Sequence, residues 1–138
     1  MGLYLCIFDS DDEEVDGVEV GTYADVGEFR DFITRELEAG KAGARYPTLI
    51  RHSDSDGEWS VEECGALRRE LADLAAALQA RPPIEFVSDW QKRVAKSIGL
   101  KPQNAFESFV DVDGELLVER LQALVETALA HRLPILFQ

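Results

Sequence analysis

Apolar residues recur along this chain in two rhythms, and each rhythm marks a kind of element. Leu3, Leu5 and Ile7 alternate with Tyr4, Cys6 and Phe8. Residues 2–8 therefore read as a strand apolar on both faces, central in a sheet or covered by helices. Asp9 to Asp16 holds six acids in eight residues and reads as a solvated loop. Asp16-Gly17 then turns the chain into a second strand, Val18 to Thr22, which makes a hairpin. From here the rhythm becomes helical. Asp25 and Glu28 have capping-box spacing, and Val26, Phe29, Ile33 and Leu37 follow before Gly40, predicting a helix over 26–39.

After a flexible Lys41 to Arg45 link, Tyr46 to Arg51 reads as a third strand whose start Pro47 places at an edge or just outside the ladder. A polar segment, His52-Ser-Asp-Ser-Asp-Gly-Glu-Trp59, leads to a second capping box, Ser60 with Glu63. Val61, Cys64, Leu67, Leu71, Leu74 and Leu78 then form the clearest helical stripe in the chain, ended by Pro82-Pro83. Ser88 and Gln91 cap a shorter helix with the stripe Val87, Trp90, Val94 and Ile98, closing at Gly99. Phe106 to Asp111 reads as a fourth strand, Leu117 to Ala128 as a last helix, and Pro134 to Phe137 as a final strand. The order predicts an α+β fold: a small mixed β-sheet of four to five strands packed against three to four helices. The apolar first and last strands are the expected neighbours at its middle.

Composition narrows the class. A chain of 138 residues with 46% apolar content supports one domain with one core. The opening apolar run is too short to span a bilayer and lacks the flanks of a signal peptide, so a cytoplasmic location is expected. Cys6 and Cys64 are the two cysteines, and neither lies in a CxxC; both read as reduced and buried. Charge is the more informative quantity. The net value of −13 is uneven, with 17 acidic against 5 basic residues in 1–63 and 10 against 9 in 64–138. A surface of that kind repels phosphate backbones, and it steers a basic protein partner towards itself. Solubility alone is the plainer account of the same acidity.

Specific chemistry is hard to locate. Asp54, Asp56, Gly57 and Glu63 fall at positions 3, 5, 6 and 12 of a calcium loop, but position 1 is His52 and a strand, not a helix, is expected to enter it. A cysteine nucleophile would be Cys64 with His52 or His131, yet Cys64 sits on the apolar stripe of its helix. No spacing singles out a carboxylate pair, and Gly40 to Gly43 precedes a strand rather than a phosphate-binding helix. No cofactor or metal is expected. Lys92, Arg93, Lys96 and Lys101 make one basic patch, which reads as a solvated helix face. Trp59, between acids, either folds back over the core or serves a partner as an anchor.

Gly2-Leu-Tyr-Leu-Cys-Ile-Phe8, Asp16-Gly-Val-Glu-Val-Gly21, His52 through Trp59, Trp90-Gln91 and Pro134-Ile-Leu-Phe-Gln138 together resemble the bacterial polymorphic-toxin immunity proteins, specifically the immunity protein 70 family, over nearly the whole chain. The resemblance implies a protein made beside a toxin that binds the cognate toxin domain in the cytosol, with neither cofactor nor catalytic group. Charge and exposure suggest its contact residues: Asp9, Asp11, Asp12, Glu13, Glu14 and Asp16 in one segment, and Asp54, Asp56, Glu58 and Trp59 in another. The competing readings are a small enzyme using carboxylates or Cys64, and a general acidic protein-binding adaptor.

Overall fold

The computed structural model of the chain describes residues 2–86 and 88–138. Four strands, β1 (Gly2–Phe8), β2 (Glu14–Thr22), β3 (Glu58–Trp59) and β4 (Ile135–Phe137), form one sheet in the order β2-β1-β4-β3. The first and last strands are thus adjacent at its centre, as their apolar character implies. Every pairing is antiparallel, where a mixed sheet was expected. Antiparallel pairing is the more stable per residue, which matters when two of the strands are only two and three residues long.

Among the described residues five helices accompany the sheet, α1 (Tyr23–Leu37), α2 (Pro47–Ile50), α3 (Val61–Gln79), α4 (Asp89–Ile98) and α5 (Leu117–His131), with one 3₁₀ turn at Phe106–Ser108. The α3 stripe is buried as its period predicts, with Cys64, Leu67, Leu71, Leu74 and Leu78 all within the core. Truncating one of those leucines to Ala would cost about 2–5 kcal/mol. Leu3, Leu5 and Ile7 of β1, Val18 of β2, Trp59 of β3, and Ile135 and Phe137 of β4 belong to the same core as the helices. Because strand residues alternate, Tyr4, Cys6, Phe8 and Leu136 point the other way. None of these four belongs to that core, so the core helices lie on the opposite face, although Cys6 is itself fully buried and Tyr4, Phe8 and Leu136 are half-buried.

Local pattern fails at four places. Tyr46 to Arg51 contains α2 in place of a strand. Pro47 occupies the first helical position, where no N–H is needed, and the Glu70 carboxylate of α3 accepts from Thr48 N at 3.2 Å and Leu49 N at 3.1 Å. The free donors of that turn are therefore satisfied from another element. Phe106 to Asp111 is a 3₁₀ turn followed by one bridge, Val110 to Leu116; Phe109 serves the core edge-on to Phe29 and Phe32, with centroids at 4.9 and 5.4 Å. The α1 cap is Thr22 with Asp25, one step of three earlier than expected. Ser88 precedes α4 without capping it, and Val87 of the expected stripe lies outside the described residues. The Ser60 and Glu63 box and the left-handed Gly99 stop are where the sequence puts them.

Candidate functional site

The acidic segment from Asp9 to Asp16 is a tight hairpin tip running into β2. Asp9 turns its carboxylate inward, accepting from Asp11 N at 2.8 Å and Glu13 N at 3.0 Å, and Asp12 takes a left-handed φ of 59° to close the turn. Asp and Asn tolerate that conformation better than most residues. Asp11, Asp12, Glu13 and Glu14 are left exposed. Asp16 lies on the helix side of β2 and is 3.4 Å from the Arg120 guanidinium of α5, which also donates to Gly17 O at 2.9 Å. Four of the six expected contact acids in this segment are thus exposed, Glu14 while accepting from the Tyr4 hydroxyl, and two serve the fold.

The His52 to Trp59 segment braces the sheet edge. The His52 ring stacks on Phe137 at 4.0 Å, its Nε2 lies 2.9 Å from Glu58 O, and Phe137 N donates to Gly57 O at 3.0 Å. Asp54 is half-buried, while Asp56 and Glu58 are exposed. Trp59 is the correction in this group. It is 3% exposed, its Nε1 donates to Thr48 O at 3.0 Å, and its ring meets Phe137 edge-on at 4.7 Å. Strand alternation decides the matter: Glu58 pairs with Leu136 on the open face, Trp59 with Ile135 on the helix face. The indole is a core group and not a surface anchor.

The two acidic segments do not share an end of the sheet. The hairpin tip follows Phe8, at the far end of β1, whereas Gly57 precedes β3 beside Phe137, whose partner on β1 is Leu5. Residues 52–57 lead into β3 rather than out of a strand. What joins them is the open sheet face. By register, Glu19 lies beside Tyr4, Gly17 beside Cys6, Glu14 beside Phe8, Leu136 beside Cys6, and Glu58 beside Leu136. Tyr4, Phe8 and Leu136 are half-buried there, between exposed Glu14 and Glu19 at one margin and exposed Glu58 at the other. The Tyr4 hydroxyl donates to Glu14, and that bond, with burial and neighbouring carboxylates, raises the phenol pKa well above its ordinary value. Glu14 and Glu19 are five residues apart and share this face only because the β1–β2 ladder shifts register between Ile7 and Phe8, so period-two alternation along the sequence does not reveal it.

Cys64, Glu63 and Asp25, candidates for chemistry, take part in the fold. Cys64 is fully buried, its thiol 3.9 Å from Trp59 O, and burial pushes its pKa up to about 11; the thiolate needed for attack is scarce at neutral pH. Glu63, the twelfth position of the calcium-loop reading, accepts from Ser60 N at 3.1 Å as a helix cap. A cleft of about 210 Å³ is lined by Asp25, Glu28, Glu85, Phe32 and Phe109 among others, and a larger one of about 490 Å³ is lined by Pro83, Ile84, Glu85, Phe86, Lys92 and Pro102, without a converging set of polar groups. The Asp25 carboxylate of the smaller cleft accepts from Thr22 N and Trp90 Nε1. Lys92, Arg93, Lys96 and Lys101 are exposed on and after α4. Among the described residues no helix is long and apolar enough to cross a membrane. The family model described as Immunity protein 70 matches residues 3–137. No curated protein and no solved structure matches the chain.

Proposed function

Because the chain belongs to the immunity protein 70 family, we propose that it acts in the cytoplasm as the antidote to a cognate toxin domain, binding that domain through its acidic side. The observation that carries this reading, beyond the family itself, is the concentration of 17 of the 27 acidic residues in 1–63. Exposed Asp11, Asp12, Glu13 and Glu14, together with Asp54, Asp56 and Glu58, supply a negative field for a basic partner, such as a nuclease toxin. Asp9 and Asp16 contribute to the field while holding the hairpin. The neutralising step in this reading is occlusion, which requires neither a cofactor nor a reactive group.

Co-expression with the toxin domain encoded beside its gene tests the reading. Cells carrying both should grow, cells carrying the toxin alone should not, and the purified proteins should form a complex whose association slows as salt rises. Growth arrest in the presence of both proteins, with the chain folded and abundant, would overturn it. The enzyme alternative draws on Cys64 or on carboxylates. It is separated by the same assay: an enzyme would protect, if at all, without a stable complex.

A further inference from the structure

We propose that the partner seats on the open face of the sheet, with Tyr4, Phe8 and Leu136 as the apolar centre, Glu14, Glu19 and Glu58 as the rim, and a protein surface carrying Lys or Arg around an apolar contact as the occupant. The inference rests on the binding reading above and specifies its surface. The hairpin tip joins β1 to β2 at one side of the sheet and the 52–58 segment enters β3 at the other, so one partner reaches both only by crossing the face between them. Three strand spacings, about 14 Å, separate β2 from β3. An interface of standard size buries about 800 Å² on each side, enough to cover that width.

Three features fit this face to a protein. Its centre is apolar, with half-buried Tyr4, Phe8 and Leu136 around a fully buried Cys6, and its backbone is held in a sheet, so little ordering is needed on binding. Tyr4 is already positioned: its hydroxyl is bonded to Glu14 and its ring lies over Gly17, where an added Cβ would collide with the phenol. A pre-oriented tyrosine at the middle of a patch is the kind of residue that dominates interface energetics. The third feature is charge. Ion pairs among the described residues join Arg45 to Asp73, Arg68 to Glu126 and Arg120 to Asp16; Glu14, Glu19 and Glu58 take part in none of them. Uncompensated carboxylates on both margins ask for cations opposite. A second copy of this chain would bring carboxylate against carboxylate, and nucleic acid would bring phosphate, so both are disfavoured.

The probe is the toxin domain encoded beside the gene, in an inactivated form, titrated against the full chain. Glu19→Lys with Glu58→Lys, and separately Tyr4→Ala, should each weaken binding at least about tenfold. Asp31→Lys with Glu36→Lys, an equal charge change on the exposed side of α1, should weaken it by less than about threefold. Should Tyr4→Ala fail to fold, the double reversal at two exposed positions keeps the test. Wild-type affinity in both folded face variants overturns this surface while leaving the binding reading intact. A wild-type chain that does not bind the toxin domain overturns both. A wild-type dimer that Tyr4→Ala dissociates, seen by sedimentation, would assign the face to a second copy and also overturn the proposal.

Discussion

Glu38 offers the sharpest test of the physical account. It ends α1 with only 4% of its surface exposed, and its carboxylate organises the return of the chain towards α2. One oxygen accepts from Gly43 N at 3.1 Å and the Thr34 hydroxyl at 3.3 Å; the other accepts from Arg45 N and Tyr46 N, both at 2.9 Å. Burial by itself would raise the pKa of this group, but the backbone donors and the Thr34 hydroxyl outweigh it and hold the value below the ordinary one. In Glu38→Gln the remaining oxygen best serves Arg45 and Tyr46, which leaves the amide nitrogen facing Gly43 N–H. One buried donor then loses its partner and the other bonds lose their charge assistance, a cost of about 2–4 kcal/mol. For a domain of this size that lowers Tm by roughly 8–15 °C.

The pH dependence has a definite sign. A carboxylate with a depressed folded pKa adds stability that is complete above the unfolded value, about 4.3, and is lost as pH falls through the folded value. Glutamine does not titrate. The gap between wild type and variant should therefore be widest near neutral pH and shrink in acid below the ordinary carboxylate range. Thermal and urea melts of both proteins at about pH 7 and about pH 3.5 measure it. A neutral-pH difference under about 0.5 kcal/mol, or one of the same size at both pH values, would refute the reasoning.

Asp111→Asn should behave in the opposite way: burial raises this carboxyl's pKa despite N–H donors from Glu115 and Asp113, and an Asn oxygen keeps both acceptor roles. Urea melts should show it neutral to about 1 kcal/mol stabilising at neutral pH, with the advantage fading in acid; a loss above about 1 kcal/mol contradicts the account. Arg132 closes α5 with a left-handed φ of 54°, so Arg132→Gly should raise stability by about 1 kcal/mol in thermal melts, and a lowered Tm would count against it. Cys64 should react with thiol reagents at neutral pH only as fast as the chain opens; immediate labelling with loss of protection would favour the enzyme reading.

Where an element depends on its own neighbours in sequence, it was legible. The α3 stripe with its Ser60 and Glu63 box and the Gly99 stop needed nothing from elsewhere. The 46–51 segment was misread because Thr48, Leu49 and Ile50 look like a strand, and the deciding contact comes from Glu70, more than twenty residues on. Trp59 stands between acids in the sequence, and of its two readings, core cover and partner anchor, alternation with Glu58 selects the first. The strand at 2–8 was expected to be covered on both faces; its own pattern could not reveal that all the core-forming helices gather on one. Acidic candidates were identifiable from charge, but their division between the two sides of the sheet depends on the β4 register, which no local signal carries.

The position of β4 also bears on the timing of folding. Cys6 and Leu136, 130 residues apart in sequence, meet at the centre of the sheet, and β3 has no strand to pair with until β4 lies between it and β1. During synthesis the β1 and β2 hairpin and the α3 helix can form early, yet the inner strand keeps a bare edge until residue 135 has emerged. Such long-range closure slows folding, and it leaves an apolar strand edge open to wrong partners in the meantime. A nascent chain of this kind gains its sheet late and all at once, since Leu136 completes both the central pairing and the face that carries Tyr4.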